Sequence, residues 1–472
     1  MSGLFASLNQ SVKALNAQSR GVETAGRNLA NVNNADYARQ RVLFGDRGTV
    51  LTPQGAESLG IEAKAIQQIR DSLIDQQVGR EIARTASLQS QSDAYAKAQA
   101  ALGESIDRTE TTGDTASSGE GLSGAFGEFF NALQAFAARP TDLGERQNLV
   151  QRADILAERF RVTDSRLEQI QTDLGTQVQS DTDDVNRLLS TVADLNGQIG
   201  RLEINAVGSA VDLRDQRQAT IEKLAAKIGS ETRPNATETG QLDVFVRDAG
   251  GNPVVLVSLA VVANPVAFDG AQLTAGTAAT PVALSSGSIN GLLTARDGAV
   301  QDLRDQLDDF ASQLAVSVNA AYNPTGATGD FFAYNPAAPA STLALAAGLT
   351  PVSLKASDGG ASADNTLAAA VAALSAHPFS IGSGDLIDGT FSQYYSGVVS
   401  DFGRTVSGTD GRLADQTNIE NLVRQQRQSV SGVSMDEEMA DLLKYQRAFE
   451  ASSKVISIID GLLDVVVNRL IR

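Results

Sequence analysis

The 472-residue chain has no cysteine, no tryptophan, one histidine and three methionines. Without cysteine, disulfides, thiol chemistry and thiolate-ligated metal are excluded. The one histidine, His377, precedes Pro378 in an alanine-rich stretch. Histidine zinc motifs need two such residues on one face, and a nucleophilic triad needs a positioned base. His377 therefore reads as a solvated loop residue. Basic charge is also short: 38 Lys and Arg against 56 Asp and Glu leave a net charge of −18. That balance works against nonspecific binding to nucleic acid or to an anionic membrane, both of which need a basic surface. No run reaches the ~20 consecutive apolar residues that a membrane span requires. The N-terminus also lacks the basic start and apolar core of a usual cleavable signal peptide. The expectation is a chain that stays in the cytoplasm or is exported with its N-terminus intact.

Phosphate and metal motifs are equally sparse. Gly119, Gly121 and Gly124 spell G-x-G-x-x-G, but the preceding TTGDTASS is no strand, so no βαβ unit supplies a phosphate cradle. Asp181, Asp183 and Asp184 lack the glycine turn and distal glutamate of a calcium loop. They read as a solvated helix face. No residue set argues for catalysis, a cofactor or a metal.

What the chain does have is 42% hydrophobic residues, enough for real cores, and length for three or four domains. Its most ordered pattern is at the C-terminus. Leu442, Tyr445, Phe449, Ser452, Ile456, Ile459, Leu463, Val466 and Leu470 alternate steps of three and four, a heptad seam on one long helix. Val455, Ile458, Leu462 and Val465 widen this apolar face. Ser434 stands where an N-cap belongs, and Asp436, Glu437 and Glu438 occupy the first turn, where carboxylates favour the positive helix end. Each large side chain of the seam contributes roughly 1.5–3 kcal/mol when fully buried, so the face needs a partner. The N-terminus offers one: Leu4, Leu8, Val12, Leu15, Ser19, Val22, Ala25, Leu29 and Val32 repeat in threes and fours with one slip at Ala25. The simplest closure pairs the two ends with each other, with neighbouring subunits, or with both.

Between the ends the pattern changes repeatedly. The first helix is predicted to end near Asn31 to Asn34, where NLANVNNADYARQRV turns Asn-rich. A glycine-spaced extended stretch follows to Gly60, then helical periodicity from Ile61 to Ile106. Residues 109–124 are polar and read as a loop. Helices are predicted over 126–138, over 141–205 and over 211–228. The second of these would span on the order of 90 Å at 1.5 Å per residue, which makes the molecule a rod. LDVFV, PVVLV and AVVANPVAF within 230–288 read as short strands. Helical spacing returns at Ile289, and 323–386 is a weakly periodic Ala/Gly-rich excursion or second insertion. The expected fold is mainly α with a β insertion, elongated and multi-domain. Residues 1–45 and 431–472 form a terminal coiled-coil domain. Residues 46–229, 289–322 and 387–430 form a helical stalk, and 230–288 an inserted β-rich domain.

Two end signatures carry a resemblance. Asn28 to Val42 is similar to the N-terminal signature of bacterial flagellar axial proteins, the rod, hook and hook-associated family, roughly N-[IL]-A-N-x-[ND]-T-x-G-[YF]-x-R. Asn28, Leu29, Ala30, Asn31, Asn33, Tyr37 and Arg39 match, while Asn34 replaces the usual Thr and Asp36 the usual Gly. The run SGVSMDEEMADLLKYQRAFEASSKVI from Ser431 resembles the hook-associated protein 1 subgroup, as does Arg39-Gln40. SGSINGLLTARD, Ser286 to Asp297, is similar to the segment where that subgroup's β insert rejoins the stalk.

The resemblance implies a structural protein of the hook–filament junction, assembled as a homo-oligomeric ring after flagellar type III export and therefore extracellular. It implies as partners the hook protein, a second hook-associated junction protein and an export chaperone on the C-terminal helix. It gives no role in nucleic-acid binding or membrane insertion. The assembly interface is expected at Leu4, Leu8, Val12, Leu15, Val22, Leu29, Leu442, Tyr445, Phe449, Ile456, Ile459, Leu463, Val466 and Leu470. The family-motif turn comprises Asn28, Ala30, Asn31, Asn33, Tyr37, Arg39 and Gln40. Three other readings stay open at this point. They are another axial component (hook protein, hook-associated protein 3 or a flagellin), a non-flagellar coiled-coil scaffold, and a secreted enzyme with its site in 323–386.

Overall fold

The computed structural model describes residues 2–52, 55–103, 121–237, 240–326, 329–359 and 364–465. The chain opens with helix α1 (Ser2–Ala30), which stops where the Asn-rich run begins. The Asn34 side chain accepts the N–H of Asp36 at 3.1 Å, an Asx turn that redirects the chain. Strand β1 (Gln40–Asp46) follows, then a hairpin of β2 (Thr49–Thr52) and β3 (Gly55–Ser58), then β4 (Ile61–Gln68). β4 returns antiparallel to β1, pairing Gln40 with Gln68 across a bulge at Leu43/Phe44. The helical periodicity expected from Ile61 is thus corrected. Residues 61–68 are a strand because β1 supplies a ladder and α1 a packing face, and helix α2 starts only at Ser72 (Ser72–Leu102). Asp71 caps α2 by accepting the N–H of Leu73 at 2.8 Å.

Helix α3 (Leu122–Ala138) begins just after Gly121, so Leu122 to Gly124 are helical rather than loop, and it stops short of Pro140. Gly119 and the rest of 104–120 lie outside the described residues. Helix α4 (Leu143–Glu203) runs for 61 residues, close to the expected span. Its buried stripe includes Leu156, Phe160, Leu167, Leu174, Val178, Val185, Val192 and Ile199, whereas Leu202 is exposed. Asp181 is also buried and accepts from Lys227 at 2.7 Å, so only Asp183 of the acidic trio stands on an exposed face. A single well-placed ammonium replaces the water that the sequence pattern assigned to Asp181. Lys227 belongs to α5 (Val211–Ile228), which ends as predicted at Gly229, in the left-handed region with φ 61°.

The α4–α5 turn is closed by Glu203, which accepts the N–H of Ala210 at 3.2 Å and two Arg214 bonds at 2.8 and 2.6 Å. Burial alone would raise the Glu203 carboxyl, but Arg214 and the N–H groups of Gly208 and Ala210 outweigh it and hold it below the usual value of 4.5. A carboxyl depressed on folding adds stability above its unfolded pKa and loses it as pH falls through the folded one. Glu203→Gln should therefore unfold more easily than the parent above about pH 4.5, with the gap closing on further acidification. Urea midpoints across pH 3–7 read this; a gap independent of pH contradicts it.

Next come β5 (Glu231–Pro234), β6 (Leu242–Arg247), β7 (Pro253–Ser258) and β8 (Val261–Val262), an antiparallel sheet in chain order. A three-stranded sheet of β9 (Val266–Phe268), β10 (Leu273–Ala275) and β11 (Thr280–Pro281) follows. Buried Asn196 of α4 anchors the first sheet, donating to the carbonyls of Leu242 (2.7 Å) and Leu259 (2.9 Å). Helix α6 (Ser288–Thr294) passes through a π turn at Ala295–Ala299 into α7 (Val300–Tyr322).

Within 323–386 the described residues form β12 (Phe332–Ala333), α8 (Pro339–Thr342), β13 (Ala344–Leu345) and α9 (Thr366–Ala373), with β12 paired to β13. The chain ends with α10 (Phe391–Ser431) and α11 (Met435–Asp464). The architecture is mainly helical with small antiparallel sheets, and α1 packs against α11.

Two compact units account for the described residues. One draws on Met1–Ala86, Asp181–Gly287 and Gln416–Arg472, the other on Ser87–Ser180 and Ser288–Asp415. The second unit concentrates the chain's scarce aromatics: ten of its 16 phenylalanines share one core. Phe310 sits among Phe160 (5.2 Å), Phe126 (5.6 Å) and Phe391 (5.9 Å), with Tyr395 stacked at 5.6 Å. Phe331, Phe332 and Phe379 from the Ala/Gly-rich region enter the same core. Polar ties within the first unit build the candidate site.

Candidate functional site

The two end signatures meet in the first unit. Asn28, at the last turn of α1, is 1% exposed. Its Oδ1 accepts from the Tyr37 hydroxyl (2.8 Å) and the Gln40 N–H (3.0 Å), and its Nδ2 donates to the Gln40 carbonyl (2.8 Å) and Glu438 Oε2 (2.9 Å). All four amide valences are used, and a flipped amide would set donor against donor. Glu438 is 3% exposed. Its other oxygen accepts from Arg39 Nε at 2.6 Å, while Arg39 Nη1 donates to Glu437 at 2.5 Å. Asp441 lies 3.8 Å from the same guanidinium. The Arg39 N–H donates to the carbonyl of Ser431 at 2.9 Å. Burial would lower the Arg39 pKa, but the Glu438 and Glu437 carboxylates outweigh it and raise it. Burial, with the charges of Asp215 and Asp212, pushes the Tyr37 phenol well above its usual value, so it stays a donor to Asn28.

The turn is tied to the body of the unit as well. Gln40 Nε2 donates to Asp212 at 3.2 Å, and Gln68 Nε2 to the Val211 carbonyl at 2.7 Å. Arg70 donates to the Asp36 carbonyl (3.0 Å), to Asp215 (2.6 Å) and to Asp75 (3.2 Å). Burial raises the Asp75 and Asp215 carboxyls despite that neighbour. Arg427 of α10 pairs with Glu222 of α5 beside Asp75. A cleft of about 590 Å³ between the turn and α5 is lined by Asp36, Tyr37, Asp212 and Asp215. Two of its acids are already held by Gln40 and Arg70. Among the described residues no three His, Cys, Asp or Glu side chains gather as metal ligands would.

Of the seven turn residues, Asn28, Tyr37, Arg39 and Gln40 build this network. Asn31 donates to the Arg27 carbonyl at 2.9 Å, while Ala30 and Asn33 are exposed. Sequence reasoning missed Arg70, Asp212 and Asp215, whose partners lie far away in the chain. Ser434 occupies the N-cap position of α11 but makes no side-chain capping bond, a correction to its expected role. The acidic first turn and the Arg39 guanidinium shape that helix end instead.

The helices pair antiparallel: Asn28 meets Glu438, and one heptad toward the N-terminus Gly21 meets Tyr445. On α1 the buried positions are Ala17, Gly21, Thr24, Ala25 and Asn28. Leu4, Leu8, Leu15, Val22 and Leu29 are half-buried and Val12 is exposed. On α11, Leu442, Tyr445, Phe449, Ile456 and Leu463 are half-buried and Ile459 is 6% exposed. Val466 and Leu470 lie outside the described residues. Val455, Ile458, Leu462 and Val465 stand exposed, as do Phe5 and Val12.

The Tyr445 ring lies between Gly21 and Phe44, its centroid 5.9 Å from that of Phe44. A Cβ at Gly21 would stand 2.8 Å from ring carbons of Tyr445. An isolated glycine inside a helical pattern was the one signal of this close approach. Gly21→Leu should cost about 1–3 kcal/mol through overpacking, read as a lower urea midpoint. An unchanged midpoint would show that the ring does not rest on Gly21.

Comparison with known proteins gives this geometry a family. Residues 424–470 match the family described as flagellar basal body rod FlgEFG protein C-terminal, which defines the class: a flagellar axial structural protein. Residues 110–331 match the flagellar hook-associated protein FlgK helical domain. The chain belongs to the flagellar hook-associated protein 1 family. Flagellar hook-associated protein 1 of Bacillus subtilis (strain 168) is 25% identical over 527 residues, covering 99% of each chain. Its namesake in Escherichia coli (strain K12) is 23% identical over 558 residues, covering 98% of this chain and 99% of the relative. The solved flagellar hook junction protein FlgK from Burkholderia pseudomallei aligns with TM-score 0.45 and 23% identity. That alignment covers 55% of this chain and 47% of that one. No helix among the described residues is long and apolar enough to cross a membrane.

Proposed function

We propose that the chain is a non-catalytic component of the hook–filament junction, assembling there as a ring of identical copies. The carrying observation is the bonding of Asn28 and Arg39 in one end signature to Glu437 and Glu438 in the other. That bonding joins the termini into one helical element whose outer stripe, Val455, Ile458, Leu462 and Val465, is left in solvent. Apolar side chains at heptad spacing favour helical neighbours over water. In this reading the hook protein lies below, a second hook-associated protein above, and further copies alongside. Export proceeds through the flagellar type III channel, with a chaperone holding α11 beforehand. The terminal helices gain order on assembly, offsetting about 1–2 kcal/mol of backbone entropy per residue with burial of their seams. The domain division of the sequence analysis belongs to the same proposal: a terminal coiled-coil domain at 1–45 and 431–472, and a stalk bearing the β-rich insert 230–288.

Electron micrographs of cells lacking the chain test it. Hooks should be present and bare, with flagellin released to the medium. Hooks carrying normal filaments would end the proposal.

A further inference from the structure

We propose that Asn28, Glu438 and Arg39 select the register in which α1 and α11 pair. This holds whether or not the chain acts at the junction. The contact face of α1 is nearly degenerate, because Ala17, Gly21 and Ala25 recur every four residues. Sliding α11 by one turn, about 6 Å at 1.5 Å per residue, sets one small residue where another stood. The α11 seam repeats too, so apolar packing separates the two registers at one contact only, the Tyr445 ring, which a slide would carry from Gly21 onto the Cβ of Ala17 or Ala25. The polar set does not repeat. Slid by one turn, Glu438 would face Thr24 instead of Asn28, or pass beyond the end of α1 at Ala30. Arg39 could not follow, because its N–H is pinned to Ser431 and Gln40 is paired with β4. A buried carboxylate and a buried amide would then lose their partners, which is costly, whereas both find them in the observed register. A single buried polar position in a helix seam fixes register in the same way, at some cost in stability.

The lack of cysteine makes the test direct, since two introduced cysteines are the only thiols. Ala14 and Ser452 lie one heptad beyond the Gly21–Tyr445 contact, so Ala14→Cys with Ser452→Cys reports the observed register. Ala14→Cys with Ala448→Cys reports a slide of one turn. Under mild oxidation of the full-length chain, the first pair should cross-link roughly tenfold faster or more than the second. Adding Asn28→Leu and Glu438→Leu should shrink that preference to within about threefold, with helix content held and the unfolding midpoint lowered, because Gln40, Tyr37 and Arg39 lose their partners. Glu438→Gln keeps the shape but has one acceptor oxygen for the two donors, Asn28 Nδ2 and Arg39 Nε, so it should weaken the preference without abolishing it. If the double leucine chain does not fold, Asn28→Ala is read instead, and a preference reduced several-fold is expected. Equal cross-linking in the parent, or an undiminished preference in the leucine or alanine chains, would overturn the proposal and leave register to Tyr445 on Gly21.

Discussion

Replacing Ile459 with aspartate is expected to leave hooks without filaments while the chain is still made. Ile459 is the one apolar residue of α11 that is buried among the described residues. The substitution forfeits roughly 1.5–3 kcal/mol of side-chain burial. It also places a carboxylate at a position that is 6% exposed, so the helix must bend away or the acid must take up a proton. Either outcome loosens α11 from α1 at the end of the pair that is far from the Arg39 network. A change to aspartate at exposed Ser453 serves as the control for the helix itself. The measurements are filament attachment by electron microscopy and the far-UV circular dichroism of the purified variant. Normal filaments on Ile459→Asp cells would mean that the α1–α11 pair is not what assembly needs.

Arg39→Ala should be the most damaging change at the other end of the pair. It leaves Glu438 buried with only the Asn28 amide, and it releases Glu437 and Asp441 to repel one another. Breaking a buried ion pair from one side costs about 3–5 kcal/mol, and the partial exposure of Arg39 places the expected loss near about 3 kcal/mol. Arg39→Lys keeps the charge but not the fork that bonds Glu437 and Glu438 together, so it should fall between. Hydrogen exchange at the first turns of α11 and at the 31–40 turn reads the effect. Because Glu438 is out of solvent, the loss should persist in added salt, which screens only exposed pairs. A loss that vanishes with salt would place the Arg39 contacts on the surface.

The long local patterns were the legible part of this fold. The expected helix over 211–228 matches α5, and 141–205 differs from α4 by two residues at each end. Gly229 and Pro140 punctuate these helices in the sequence itself. Legibility failed where the partner lies far along the chain. Residues 61–68 become a strand because β1 lies alongside, and Asp181 is buried because Lys227, 46 residues on, reaches it.

The site shows the same divide. Its two signatures could be read separately, but the bond between them joins residues 410 apart. The contact face of α1 is made of alanine, glycine and threonine, which give no hydrophobic signal, while the leucines that do give one lie at its flanks. Nor does spacing reveal that ten scattered phenylalanines converge on Phe310 and its neighbours.

The most direct measurement adds the purified chain to isolated hooks and follows both electron micrographs and amide exchange in α1 and α11. A layer of protein at the hook end and slower exchange along both helices in the bound chain are expected. Bare hook ends, with exchange the same in the presence and absence of hooks, would contradict assembly on the hook.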